Sequence, residues 1–146
     1  MKHIYITFIM LGCLLLNACD GRTGYFDDEQ KDTLALLTRG EWALYEQIRD
    51  DQTTTFDKVG LVYRFTADGK GWRRWYDTET GKPTATENFQ WTFTNGSFAV
   101  LYIASKIERY WLIERLNDSR LWVCDGIRDP VIYPSTDNYH LHFKSL

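Results

Sequence analysis

His140 and His142 stand at alternate positions near the C-terminus, so on an extended strand both imidazoles project from one face, a geometry in which two ring nitrogens can reach one metal ion. Nothing at a recognisable spacing supplies a third and fourth ligand. The pair therefore reads as a solvated or half-buried strand face, and neither a metal nor a cofactor is expected. A second group, Trp72-Arg73-Arg74-Trp75-Tyr76, alternates cations with rings and is able to stack on a sugar, a lipid headgroup or a partner protein. The same residues also suit an ordinary strand whose arginine stems cover neighbouring rings. Carboxylates are numerous, but an acid and base pair must be held at a fixed separation, which spacing alone cannot supply. Asp27, Asp28 and Glu29 fit better as the start of a helix, where the dipole favours acids. Neither histidine lies in a motif that activates a serine or Cys124, so the chain is not expected to be an enzyme.

The remaining chemistry is a thiol near the N-terminus. Residues 1–19 run from a basic start at Lys2 through an apolar stretch, residues 4–16, to Leu16-Asn17-Ala18-Cys19. That stretch has the layout of an export signal and is shorter than the roughly 20 residues that cross a bilayer as a helix. The tetrapeptide resembles the lipobox of bacterial lipoproteins. The resemblance implies a signal peptide over residues 1–18, acylation of the Cys19 thiol through a thioether, and a lipidated tether over residues 19–26. The expected location is the cell envelope, with the chain anchored to a membrane by acyl chains such as palmitate; Asp20 leaves the leaflet open. Cys13 departs with the leader and Cys19 carries lipid, so Cys124 remains alone and no intrachain disulfide can form. Its expected place is a buried position on a strand.

These groups need a scaffold, and 146 residues with a leader removed supply one domain, residues 27–146. Aromatic residues make up 16% of the chain, a composition that favours strands, and the formal net charge is −3 with the basic residues scattered. That distribution argues against nucleic acid as a partner. Asp27 with Gln30 has capping-box spacing, and Leu34, Leu36 and Leu37 give apolar contact, so a short helix is expected over 28–38, stopped by Gly40. Beyond residue 41 the apolar pattern changes to period two. About eight strands are expected, over 42–49, 59–66, 72–76, 88–94, 98–104, 108–115, 120–125 and 139–144. Ala67-Asp68-Gly69-Lys70 and Asn95-Gly96 read as hairpin turns, Asn117-Asp118-Ser119 as a further turn, and Thr80-Gly81-Lys82-Pro83 as a looser connection. A long antiparallel meander removes its edges most simply by closing, giving an all-β, up-and-down barrel with a short N-terminal helix.

The Gly40-Glu41-Trp42 triplet after a short helix resembles the Gly-x-Trp of lipocalins. The later Phe65-x-x-Asp68-Gly69, Phe89-x-Trp91, Leu101-x-Ile103, Trp111-x-Ile113-x-x-Leu116 and Leu121-x-Val123 resemble the lipocalin-like domains of bacterial lipoproteins over residues 28 to about 125. The resemblance implies a non-catalytic module holding a small apolar or amphipathic ligand in the barrel mouth, with Trp91, Leu101, Ile103, Trp111 and Ile113 as lining. Small eight-stranded barrels can also be filled by their own side chains. The alternative is then a filled barrel whose surface, around Trp72, Arg73, Arg74, Trp75 and Tyr76, binds an envelope protein or inhibits one.

Overall fold

The computed structural model describes residues 27–134 and 139–146. Helix α1, Asp28–Thr38, begins as its sequence dictates: Gln30 N donates to Asp27 Oδ1 at 2.8 Å, and Asp27 N donates back to Gln30 Oε1 at 3.0 Å. It ends differently from expectation. Arg39 is right-handed at φ −62°, and Gly40 is not among the positive-φ residues, because the chain turns directly into the first strand rather than through a left-handed cap.

Nine strands follow: β1 (Glu41–Arg49), β2 (Gln52–Thr55), β3 (Leu61–Phe65), β4 (Lys70–Tyr76), β5 (Pro83–Phe93), β6 (Val100–Ala104), β7 (Arg109–Leu116), β8 (Arg120–Gly126) and β9 (Tyr139–Ser145). Each of β3 to β8 pairs antiparallel with the next, and β9 returns to β1 through seven register partners from Trp42↔Ser145 to Arg49↔Tyr139. Eight strands thus form a closed antiparallel barrel, with β2 an additional strand beside the C-terminal half of β1.

Strand β2 is absent from the sequence reading because Gln52-Thr53-Thr54-Thr55 has no apolar alternation. It exists because Asp50 and Asp51 take φ values of 50° and 64°, a two-residue turn of the twist that hairpins prefer. Strand β5 begins at Pro83, five residues before the expected start, because Thr84, Ala85 and Thr86 continue the ladder against Trp75 and Arg74. The turn at Asn95-Gly96 forms, but the left-handed residue is Phe98, at φ 53°, whose ring stacks on Phe93 at 4.0 Å and 9°. Strand β6 accordingly begins at Val100 rather than at residue 98.

The two ends of the barrel differ. At the end where β1 begins, α1 lies across the opening: Leu37 is fully buried, Trp42 Nε1 donates to Leu37 O at 2.9 Å, and Gln30 Nε2 donates to Gly96 O at 2.5 Å. Arg39 and Asp118 join at 2.6 Å beside it. The end where β1 finishes carries the β4–β5, β6–β7 and β8–β9 connections.

Candidate functional site

Period two decides what enters the barrel. In the half beneath α1, Trp42, Phe65, Phe89, Trp91, Leu101, Trp111, Leu121 and Phe143 point inward and are buried. Their rings interlock, Tyr63 with Trp111 at 4.8 Å, Trp111 with Phe143 at 5.3 Å, Phe65 with Phe89 at 5.4 Å and Phe65 with Trp91 at 5.7 Å. Four of the residues suggested by sequence as a ligand lining, Trp91, Leu101, Ile103 and Trp111, belong to this packed core, and Ile113 packs against it. None of the five faces the cavity described below. The physical reason is ring volume: aromatic side chains from facing strands meet across a small barrel and pack against one another there.

The same alternation places polar groups inward at the other end. Arg73 follows Gly71 on the inner face of β4 and donates to Glu87 Oε2, from Nη2 at 2.8 Å and from Nε at 3.1 Å, while its Nη1 donates to Tyr63 Oη at 3.3 Å. Arg109 precedes Trp111 on β7 and forms a two-pronged pair with Asp125, its Nε donating to Oδ1 at 2.8 Å and its Nη2 to Oδ2. Trp111 Nε1 also donates to Asp125 Oδ1, at 2.8 Å, so a buried carboxylate joins the apolar half to the polar half. On β1 and β9, Tyr139 Oη donates to Gln47 Oε1 at 3.3 Å, and the Arg49 guanidinium lies 5.2 Å from the Tyr139 ring centre.

Between these groups is a polar cavity of about 350 Å³, lined by Arg49, Asp50, Arg109, Asp125, Gly126, Ile127 and Tyr139. The volume suits a small ligand or the head of a larger one. At the same end of the barrel the connecting loops expose Ile107, Ile127, Val131, Ile132 and Tyr133, all more than half exposed, and Ile127 also lines the cavity. The geometry is therefore a charged recess at the end of the barrel that carries these exposed apolar side chains. Arg109 and Asp125 escaped the sequence reading although a signal was present: counting by twos from Trp111 and Val123 reaches them at one end of the neighbouring strands β7 and β8.

Electrostatics tighten this end. The hydrogen bond from Arg73 lowers the Glu87 pKa, and the hydrogen bond to Asp125 raises that of Arg109. Burial raises the Tyr63 phenol, outweighing the hydrogen bond from Arg73. A carboxylate whose folded pKa is depressed stabilises the fold above its unfolded value and loses that contribution as pH falls through the folded one. Stability should therefore fall below the ordinary glutamate value of about 4.3. Glu87→Gln should be less stable than the parent at pH 7 and show a shallower loss between about pH 4.5 and 3. Chemical denaturation at a series of pH values measures both. Some slope should persist, because Asp68 and Asp77 are depressed by hydrogen bonds within their turns. A Glu87→Gln profile parallel to the parent's would exclude this role for the Arg73–Glu87 pair.

The Trp72 to Tyr76 segment is divided by the same alternation. Arg73 and Trp75 share the inner face with Gly71, the guanidinium of Arg73 lying 4.9 Å from the Trp75 ring. Trp72 and Arg74 share the outer face, Arg74 lying 4.4 Å from the Trp72 ring, and Tyr76 follows a bulge. One contiguous binding surface over all five residues does not form. His140 and His142 do share the outer face of β9, but each takes its own carboxylate: His140 Nδ1 lies 3.0 Å from Glu114 Oε2, and His142 Nδ1 lies 2.5 Å from Glu46 Oε1. His142 also stacks on Trp122 at 4.4 Å. Among the described residues no group of three or more His, Cys, Asp and Glu is placed to hold a metal ion. Cys124, expected to be buried, is half-buried on β8 opposite His140. The leader over residues 1–18, Cys19 and the tether to residue 26 lie outside the described residues, and no described helix is long and apolar enough to cross a membrane.

A closed eight-stranded antiparallel barrel with one end covered by a short N-terminal helix defines a lipocalin-like fold. Among solved structures the chain is similar to a lipocalin-like protein from Bacteroides uniformis, with a TM-score of 0.53 and 15% identity over 73% of this chain and 96% of that one. At that identity the likeness is one of fold. No family model and no curated protein matches the sequence.

Proposed function

We propose that this protein is a lipoprotein of the cell envelope, anchored to a membrane through acylated Cys19, whose barrel binds a small amphipathic molecule without catalysing a reaction on it. The observation that carries the reading is the charged recess at the end of the barrel whose loops expose apolar side chains. A polar head suits Arg49, Arg109, Asp125 and Tyr139, and an apolar body suits Ile127, Val131, Ile132 and Tyr133. A wholly apolar ligand fits poorly, since the apolar half of the interior is filled by the barrel's own rings. The second reading, a rim that binds an envelope protein or inhibits one, is favoured by the same exposed residues, because a cluster of this kind marks a contact surface of some sort.

Native mass spectrometry of the full chain, extracted from its own membranes in mild detergent, tests both parts. The lipid on Cys19 should persist as added mass after denaturation and vanish in Cys19→Ala. A ligand should appear as a further mass that denaturation releases and that Arg109→Ala diminishes. Absence of the covalent mass sinks the anchor. Absence of the releasable mass, with an envelope protein recovered instead by crosslinking at Ile132, transfers the function to the second reading.

A further inference from the structure

The mouth is not the only concave feature. On the outer wall a hollow of about 720 Å³ crosses β4, β5 and β6, bounded by Trp72, Lys70, Asn88, Gln90 and Ala104. It adjoins a second hollow of about 400 Å³, with which it shares Lys70, Gln90 and Ala104 and whose lining includes Tyr102. Register explains the shape. Trp72 lies opposite Asn88, Gln90 lies between Lys70 and Ala104, and Tyr102 is two residues beyond Ala104. Lys70, Gln90 and Ala104 form the row shared by the two hollows, and the small Ala104 side chain keeps that row low on the β6 side, so the pair can be treated as one channel. Strand spacing and rise place Trp72 and Tyr102 roughly 16 Å apart along it.

The chemistry of this channel is specific. Trp72 is half-buried, and its ring is held by the Arg74 guanidinium at 4.4 Å. Tyr102 is fixed by its hydroxyl, which donates to Glu108 Oε1 at 2.6 Å, and by the ring of Tyr110 at 5.0 Å. The aromatic groups at both ends are therefore pre-positioned. Between them Asn88 and Gln90 are exposed, each amide offering donors and an acceptor to a ligand. The charged groups here are two cations and two carboxylates, each already engaged: Lys70 Nζ lies 3.9 Å from Asp68 Oδ2, Arg74 covers the Trp72 ring and donates to Thr86 Oγ1, and Glu108 accepts from Tyr102. Ordered rings able to stack, planar amides between them and no surplus charge match a neutral ligand with apolar C–H faces and hydroxyl edges. They match a phosphate-bearing or acidic one less well, because Lys70 is paired with Asp68 and the Arg74 guanidinium is occupied by Thr86 and the Trp72 ring.

We infer that this outer channel is a binding site for a neutral linear oligosaccharide, with Trp72 and Tyr102 as stacking platforms and Asn88 and Gln90 as hydroxyl readers. The site is separate from the mouth and independent of whether the mouth holds a ligand. For a protein tethered in the envelope, it would hold the barrel against a glycan.

The test is affinity electrophoresis and calorimetry of the full chain in detergent, against hexasaccharides of β-1,4-linked glucose, β-1,4-linked N-acetylglucosamine and α-1,4-linked glucose, with a monosaccharide for comparison. Binding to at least one hexasaccharide is expected, with the monosaccharide much weaker, as a channel with two platforms requires. Trp72→Ala should weaken that binding about tenfold, the effect of one lost stacking contact. Trp72→Phe should restore most of it, and Gln90→Ala should weaken it by a smaller factor. Arg49→Ala, at the mouth, should leave it unchanged. Circular dichroism of each variant separates a lost contact from a lost fold. Failure of all three hexasaccharides to bind overturns the inference, as does binding that survives Trp72→Ala in a folded protein.

Discussion

Replacing Asp125 with alanine should cost more stability than any other single truncation of a polar side chain in this protein, about 3 to 5 kcal/mol. The reason is that Asp125 serves two donors that cannot follow it. Its carboxylate is 6% exposed and accepts from Arg109, which is itself 25% exposed, and from the fully buried indole of Trp111. Truncation leaves a guanidinium without its carboxylate, facing only the polar cavity, and an indole N–H with no acceptor, and an unsatisfied buried donor alone costs about 1 to 3 kcal/mol. Asp125→Asn keeps the shape and an acceptor for Trp111 but removes the charge, so it should fall between parent and alanine. Urea unfolding should give a lower midpoint with little change in slope, and the thermal midpoint of Asp125→Ala should drop on the order of 10–20 °C. A loss below about 1 kcal/mol would show that Arg109 and Trp111 find water or other acceptors, and that Asp125 is no hub.

Asp125 also marks where the sequence stops being readable. Its neighbours Leu121 and Val123 share its face, and alternation alone assigns all three to the interior. An acid at the end of such a run reads as a strand terminus, because nothing in one strand says that Arg109 stands opposite the place where it points. The partner comes from β7, sixteen residues away, and only the register Trp111↔Asp125 brings the two together. The polar mouth as a whole has this character. Arg73 and Glu87, like Arg109 and Asp125, are pairs across neighbouring strands, and Arg49 meets Tyr139 only because β1 closes on β9.

Features fixed within a few residues were legible. The Asp27–Gln30 capping box depends on one turn of backbone, and the hairpin at Asp68-Gly69 depends on a glycine at φ 79°. Legibility failed where a local signal had competition. Asp50-Asp51 makes a hairpin without glycine, and Phe98 occupies a left-handed position that Asn95 or Gly96 would have filled at lower cost. There, stacking of Phe98 on Phe93 offsets the backbone penalty, a term invisible without the fold. The aromatic interior was read as lining because inward direction is a local property, whereas whether rings meet across the barrel depends on its diameter.

The smallest substitution with a large expected effect is Gly71→Ala, one added methyl group that should cost about 3 kcal/mol or prevent folding. Gly71 is not at positive φ, so the reason is space and not torsion. A Cβ built there would overlap the Phe89 ring and stand 2.5 Å from the Arg64 carbonyl oxygen. Neither neighbour can yield. Phe89 is held between Tyr63 at 5.9 Å and Phe65 at 5.4 Å, and the Arg64 carbonyl belongs to β3, which pairs with β4 at Arg64↔Trp72 and Phe65↔Gly71. The strands would have to part at the Phe65↔Gly71 pair, and the inward rings of Phe65 and Phe89 would move with them. Gly96→Ala is the internal control, since its Cβ would meet only Gln30 Nε2, at 3.9 Å, and should change stability by no more than about 0.5 kcal/mol. Trimming the obstructing ring in Gly71→Ala/Phe89→Leu should recover part of the loss but not all of it, because the backbone contact with Arg64 remains. If Gly71→Ala unfolds at the parent's urea midpoint, β3 and β4 are not packed as tightly around the core as their register requires; if the double variant recovers the full stability, the ring alone enforces the glycine and the strand backbone has room to spare.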